Sequence, residues 1–212
     1  MSEEAVRSSS LGPGILVKRM KSEDAAAIAE IWAEGVIQAA DTAPFYFKQQ
    51  VLQDFKKYRD EALTYDGDVG PQGVNLLEHW EEEGRVMFVA FPEDNPGKLI
   101  GCVGVQLGCD ERIVDLESTI ASIWKISVEK GERRRGVGKA LMEKAESWAK
   151  EEHNCASLRL VTANTIAVTF FCETMGFVKE LVDWTPWNDI KTGQIIGRSR
   201  RPLWYTKSLA AD

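Results

Sequence analysis

Histidine and cysteine are scarce in this chain, and the shortage removes whole classes of chemistry. Only two histidines, His79 and His153, and four cysteines, Cys102, Cys109, Cys155 and Cys172, occur in 212 residues. None falls in the close Cys/His spacing that zinc requires, so no metal is expected. No disulfide framework is expected either, because a chain of this length fills a core without covalent staples; the cysteines read as reduced thiols. Long apolar runs are also missing. Nothing approaches the ~18 uninterrupted apolar residues of a spanning helix, and the first ten residues hold acids and serines where an exported chain carries an apolar signal core. Positive charge is in deficit: 26 Lys and Arg face 33 Asp and Glu, for a net charge of −7 and a pI near 5.1. Such a surface repels phosphate backbones, which argues against general nucleic-acid or anionic-membrane binding. The expectation is a soluble, intracellular, cytoplasmic protein whose oligomeric state stays open.

What is present is ordinary for a globular domain, with 44% hydrophobic and 28% charged residues. Residues 1–14 are polar and serine-rich and end in Gly12-Pro13-Gly14, which reads as a flexible tail before a single domain at 15–212. Ile15, Val17 and Arg19 begin a strand. Ser22 is placed to cap a helix whose first turn carries Glu23 and Asp24 and whose apolar side holds Ile28, Ile31, Trp32 and Val36. A second helix is predicted over 51–62. The aromatic connector at 41–49 is read either as substrate-facing or as closing a core edge. A loop at 66–73 precedes a short helix around Val74, Leu77 and Trp80.

The hydrophobic period then changes. Residues 86–91 and 99–107 read as a two-stranded hairpin, and 118–128 as a further strand with Ile120, Trp124, Ile126 and Val128 on one face. After Gly131 comes the longest clear helix, with Val137, Leu141, Ala145 and Trp148 recurring on one side. A strand at 158–161, a helix at 165–175 stopped by Gly176, and strands near 178–184 and 203–207 complete the pattern. Strands and helices alternate around one sheet, an α/β arrangement.

The most informative stretch is Ile123 to Gly138: a strand, the polar turn 129–132, then Arg133-Arg134-Arg135-Gly136-Val137-Gly138 opening the long helix. The first N–H groups of a helix lack internal partners and sit at the positive end of its dipole, so they suit an anion such as pyrophosphate. Adjacent arginines add charge-assisted hydrogen bonds. Two known phosphate signatures fail. Val137 stands at the lysine position of a P-loop, and Leu141 replaces the third glycine of the dinucleotide fingerprint.

Arg133-x-x-Gly136-x-Gly138 resembles the acyl-CoA pyrophosphate motif of the GNAT superfamily of N-acetyltransferases. Trp124-Lys125-Ile126-Ser127-Val128 resembles that superfamily's fourth strand and is reminiscent of its camello-like members, while Asn164 through Gly176-Phe177 resembles its next helix-to-strand segment. The resemblance implies a mixed, largely antiparallel central sheet flanked by helices (α+β), with a splayed strand pair holding acyl-CoA. It implies acetyl-CoA as cosubstrate, an amine acceptor (small molecule or protein amine), and direct attack in a ternary complex. Backbone groups of Ile126, Ser127 and Val128 would hold the pantetheine arm. Arg133, Arg134, Arg135, Gly136, Val137, Gly138 and Lys139 would wrap the pyrophosphate, and Asn164 would hydrogen-bond the pantetheine end.

The leaving thiolate needs an acid, which many GNAT enzymes supply as a tyrosine before the Gly-Phe pair. Here counting back from Gly176-Phe177 places Cys172 at that position, whereas counting forward from Asn164 places Phe171 there. Cys172 is either the proton donor or a small buried thiol. For the base, the resemblance points to a carboxylate near the fourth strand, with Asp115 and Glu117 available and Glu117 preferred. Without a tyrosine, an acyl-CoA-binding regulatory module is the alternative reading.

Overall fold

The computed structural model describes residues 14–41, 80–109, 114–162, 170–180, 187–188, 195–197 and 203–209. The helix expected at 51–62, the aromatic connector beyond Asp41, the loop at 66–73, Asn164 and the strand residues 181–184 lie outside them. Seven strands form one sheet in the order β1-β2-β3-β4-β5-β9-β6: β1 Ile15–Arg19, β2 Arg85–Pro92, β3 Gly101–Leu107, β4 Ile120–Val128, β5 Ser157–Thr162, β6 Val178–Lys179 and β9 Leu203–Ser208. Two short strands, β7 Trp187–Asn188 and β8 Ile195–Gly197, pair separately. Every neighbouring pair in the large sheet is antiparallel except β4 with β5, which run parallel. The predicted hairpin is β2 with β3.

Cross-strand register assigns the two faces, because directly opposed residues share one. Val86, Val105, Ile123, Leu160 and Tyr205 form one row across five strands. All are buried in the core that also takes in Val137, Leu141, Ala145 and Trp148. These four are the apolar stripe of helix α2, Val137–Ser147, which a π-helical turn at Trp148–Glu152 extends. Burying a Val or Leu of such a stripe contributes about 1.5–3 kcal/mol, which anchors α2 to the sheet.

On the opposite face, helix α1, Ala25–Asp41, sets Ile28 and Ile31 against Met87, Val89, Phe91 and Cys102, with Trp80 completing the cluster. The start of α1 differs from expectation. Residues Ser22–Asp24 form a 3₁₀ turn, and it is Asp24, not Ser22, that accepts the backbone N–H of Lys21, at 2.9 Å. A carboxylate accepts that bond more strongly than a neutral hydroxyl does.

Trp80 lies directly over Gly104 of β3: a Cβ there would come within 2.3–2.7 Å of the indole ring. At the other end of the sheet, Arg159 of β5 donates to both Glu180 carboxylate oxygens, at 2.9 and 2.5 Å, and the Thr206 hydroxyl of β9 donates to the same carboxylate. The Arg159 hydrogen bond holds the Glu180 carboxyl below its ordinary value of 4.5, against an opposing effect of burial and with help from Thr206.

Two expected outcomes follow from these contacts. Gly104→Ala forces the buried indole of Trp80 to move, at a cost of about 1–3 kcal/mol, only partly offset by alanine's advantage over glycine of about 0.5–1 kcal/mol in a strand. The thermal midpoint should fall by a few degrees; an unchanged midpoint would show that Trp80 yields freely. For Glu180, a folded pKa below the unfolded one stabilises the fold above pH 4.5, and that contribution disappears as pH falls through the folded value. Glu180→Gln should therefore lower the midpoint at neutral pH, with the two proteins converging in strong acid.

Candidate active site

The parallel pairing of β4 with β5 stops at Ile123 opposite Leu160, although β4 runs on to Val128 and β5 to Thr162. The strands part at this fork. A register shift against β3 begins two residues further along. Between the β3–β4 pairs Gly104–Trp124 and Cys102–Ser127, Lys125 and Ile126 together oppose the single residue Val103, and Lys125 has φ +50°. This is a β-bulge, which bends the strand and increases its twist.

The bulge also overturns the expected alternation. Trp124 packs on the α1 side, whereas Ile126 and Val128 pack on the α2 side, so the three do not share a face. Lys125 reaches over the Trp32 ring of α1, 4.4 Å from its centroid. Ser127 is buried so close under α1 that a Cβ at Gly35 would lie 2.0 Å from its hydroxyl oxygen. Beyond the bulge, Glu129 N–H returns to β3 by donating to Ile100 O at 2.9 Å. Strand alternation turns the Val128 backbone the other way, where its carbonyl accepts Arg133 Nε–H at 3.0 Å.

The N-terminus of α2 sits beside the opened end of β4. Gly138 faces Phe170 and Val128: a Cβ there would make ordinary contacts with the Phe170 ring at 3.5 Å and Val128 Cγ2 at 3.8 Å. Gly136 is the N-cap with φ +88°, a conformation that suits glycine, and no side chain caps the helix. The first helical bond runs from Ala140 N–H to Gly136 O at 2.9 Å. The N–H groups of Val137, Gly138 and Lys139 thus have no acceptor within the helix.

The basic run is not uniform. Arg133 is tied to Val128 O, Arg135 pairs with Glu132, and Lys139 stands 3.6 Å from Glu143. Arg134, exposed with φ +63°, makes no ion pair among the described residues. Lys98 binds Glu129 at 3.0 Å and Glu132 at 3.1 Å, bracing the turn before the arginines. These hydrogen bonds hold the Lys98 ammonium above its ordinary pKa and the Glu132 carboxyl below its own.

The segment after β5 explains the two conflicting counts toward its tyrosine position. Phe170–Thr174 is a π-helical turn, with Met175 N–H bonded five residues back to Phe170 O at 3.3 Å. Such a turn accommodates one extra residue. Phe171 turns into the core, edge-on to Phe170 and Phe177 at ring distances of 5.2 and 5.9 Å, while Cys172 is half-buried against the core margin. Glu117 is not brought to this region. It is exposed in the turn before β4, its N–H donating to Asp115 Oδ1 at 3.2 Å, and the strand from Ile120 to the fork at Trp124 adds ~13 Å.

A forked strand pair thus lies beside an uncapped, glycine-opened helix N-terminus. The model of the acetyltransferase (GNAT) family matches residues 51–177, and the chain belongs to that family as an N-acetyltransferase. Streptothricin acetyltransferase A of Bacillus subtilis is 30% identical over 153 residues, spanning 72% of this chain and 73% of that protein. Two solved structures share the fold. The PaiA N-acetyltransferase of Thermoplasma acidophilum, in complex with coenzyme A, has 14% identity and a TM-score of 0.59 over 92% of this chain and 98% of its own. A GCN5-related N-acetyltransferase from Kribbella flavida has 18% identity and a TM-score of 0.54 over 92% and 97%.

The sequence missed the bulge at Lys125, the sorting of the arginines and the π turn; the disagreement between the two tyrosine counts was the trace the π turn left. Calorimetry with coenzyme A checks the groove. Arg134→Ala should weaken binding about tenfold at low ionic strength and little at about 1 M salt, where an exposed charge is screened. Gly136→Val should weaken it at both, because the strained backbone distorts the N–H cradle; parent-like affinity in that variant would place the anion elsewhere.

Proposed function

We propose that this chain transfers an acetyl group from acetyl-CoA to an amine by direct attack within a ternary complex. The observation that carries the reading is the fork at Trp124–Val128 lying beside the open N-terminus of α2, where a side chain at Gly138 would reach both Val128 and Phe170 of the π turn. Outward-facing backbone groups over Ile126–Val128 would hold the pantetheine arm. The free N–H groups of Val137, Gly138 and Lys139, with Arg133 and Arg134 beside them, would hold the pyrophosphate. From the family resemblance, Asn164 would bind the pantetheine end.

The thioester carbonyl is polarised by backbone N–H donors at the fork, which stabilise the negative charge that develops on its oxygen. The neutral amine attacks the carbonyl carbon, a C–N bond forms, and the C–S bond breaks. Glu117, exposed in the turn before β4, stands away from the fork, so the amine proton leaves through water. An acidic protein with a net charge of −7 favours the approach of cationic amines. Streptothricin, for which the Bacillus relative is named, heads the acceptor panel.

Acetyl-CoA at a hundredfold excess over its Kd should stabilise the fold by about 2.7 kcal/mol, read as a raised thermal midpoint. Thiol release from acetyl-CoA should then depend on a suitable amine. A raised midpoint without amine-dependent release across the panel would favour a binding module over an enzyme, and an unmoved midpoint with no heat in calorimetry would remove the coenzyme altogether.

A further inference from the structure

A β-bulge disrupts the ladder locally and leaves its extra residue without a regular partner, so something beyond the ladder must fix it. At Lys125 the demand is sharper. Its φ of +50° is a left-handed conformation that residues other than glycine seldom adopt and that persists only when the surroundings hold it. One side chain of the neighbouring strand does so. Cys102 of β3 opposes Ser127, the first β4 residue paired with β3 beyond the bulge, and its thiol reaches back across the bulge to donate to Lys125 O at 3.6 Å. The Ser127 N–H in turn hydrogen-bonds the Cys102 sulfur. The thiol therefore grips the residues on both sides of Ile126. It is 0% exposed, in the α1-side cluster that Trp124 packs against. Burial pushes the Cys102 thiol up to about 12, outweighing the lowering effects of the Lys125 charge and the Ser127 N–H, so it stays an S–H donor throughout the neutral range.

Resting on the reading that acetyl-CoA occupies the fork, we propose that Cys102 is a positioning residue for acetyl transfer, its thiol holding the Lys125 bulge in the shape that presents the Ile126–Val128 backbone to the thioester. Cys102 touches neither coenzyme nor amine and takes no part in proton transfer. Backbone donors stabilise a developing oxyanion only when they point at its place, and a misplacement of about 1 Å costs up to ~10² in rate. A thiol is a weak donor, but this one acts on the residue whose conformation sets the course of β4 beyond the bulge. The turn into α2 is braced separately, by Lys98 on Glu129 and Glu132. Loss of the thiol therefore reaches the transfer step and spares the pyrophosphate cradle.

Substitutions that separate the donor from its volume test this role. Cys102→Ala removes the donor and should lower kcat at saturating acetyl-CoA and amine by about tenfold, with CoA affinity by calorimetry within about threefold of the parent. Cys102→Ser leaves a similar void but keeps a hydroxyl donor, and should bring kcat back to within about threefold of the parent. Its thermal midpoint should nevertheless fall at least as far as that of the Ala variant, since a hydroxyl sits poorly in an apolar pocket. A cysteine that only filled space would make the two rates follow the two midpoints. Equal rates in the Ala and Ser variants, or an Ala variant as fast as the parent, overturn the role of Cys102. If the Ala variant does not fold, the isosteric pair Cys102→Thr and Cys102→Val decides: a faster Thr variant supports the role and equal rates overturn it. Parent protein that binds no CoA would overturn the acetyl-CoA reading itself, an outcome distinct from intact CoA binding with rates indifferent to the donor.

Discussion

The bulge at Lys125 is the constraint on which the rest of the site depends. Up to Ile123, β4 is an ordinary interior strand, bonded to β3 on one side and β5 on the other. Two residues facing one on β3 then bend the strand, and its pairing with β5 is not resumed. A central strand normally has no spare backbone hydrogen-bonding groups, since buried ones must be paired. The bulge releases a short stretch of them in the middle of a rigid sheet, where a ligand can pair with them instead. It also turns Ile126 and Val128 toward α2 and leaves Trp124 with α1, which gives the two sides of the fork different chemistry.

The anion cradle depends on the same geometry. α2 begins beside the opened strand, with Gly138 near Val128 and Phe170, and Gly136 takes up a left-handed conformation at its uncapped start. Charge is arranged around this backbone and does not replace it. Glu132 engages Arg135 and Lys98, the Val128 carbonyl accepts from Arg133, and Arg134 makes neither an ion pair nor a side-chain hydrogen bond among the described residues. Exposed pairs such as these contribute little stability individually. Their role is to orient the turn that leads from β4 to α2.

Much of this was legible in the residues. The apolar stripe of Val137, Leu141, Ala145 and Trp148 announced α2, and the two apolar runs on either side of Pro92 to Gly97 announced the hairpin. Arg133, Gly136 and Gly138 marked the cradle because helix-start chemistry is local: a few consecutive residues determine whether N–H groups are free and whether the backbone can turn. The face of Trp124 and the start of α1 were misread for the opposite reason. An alternating pattern assumes an unbroken strand, and nothing about Lys125 as a residue type declares a bulge. Likewise Ser22 is a good cap in isolation, but Asp24 reaches back to the Lys21 N–H and takes the position.

The sequence by itself determined the α1 and α2 stripes, the β2–β3 hairpin and the glycine turn that opens α2, because periodicity and glycine placement act over one or two turns of chain. Only the tertiary structure decided which residues meet at the fork. Ile123, Leu160 and Tyr205 come from three strands far apart in the chain and are brought into one row by register alone. The π turn likewise sends the Phe171 ring into the core and the Cys172 thiol to its margin. Such outcomes depend on hydrogen bonds and packing between distant segments, and those forces leave no signature in the spacing of neighbouring residues.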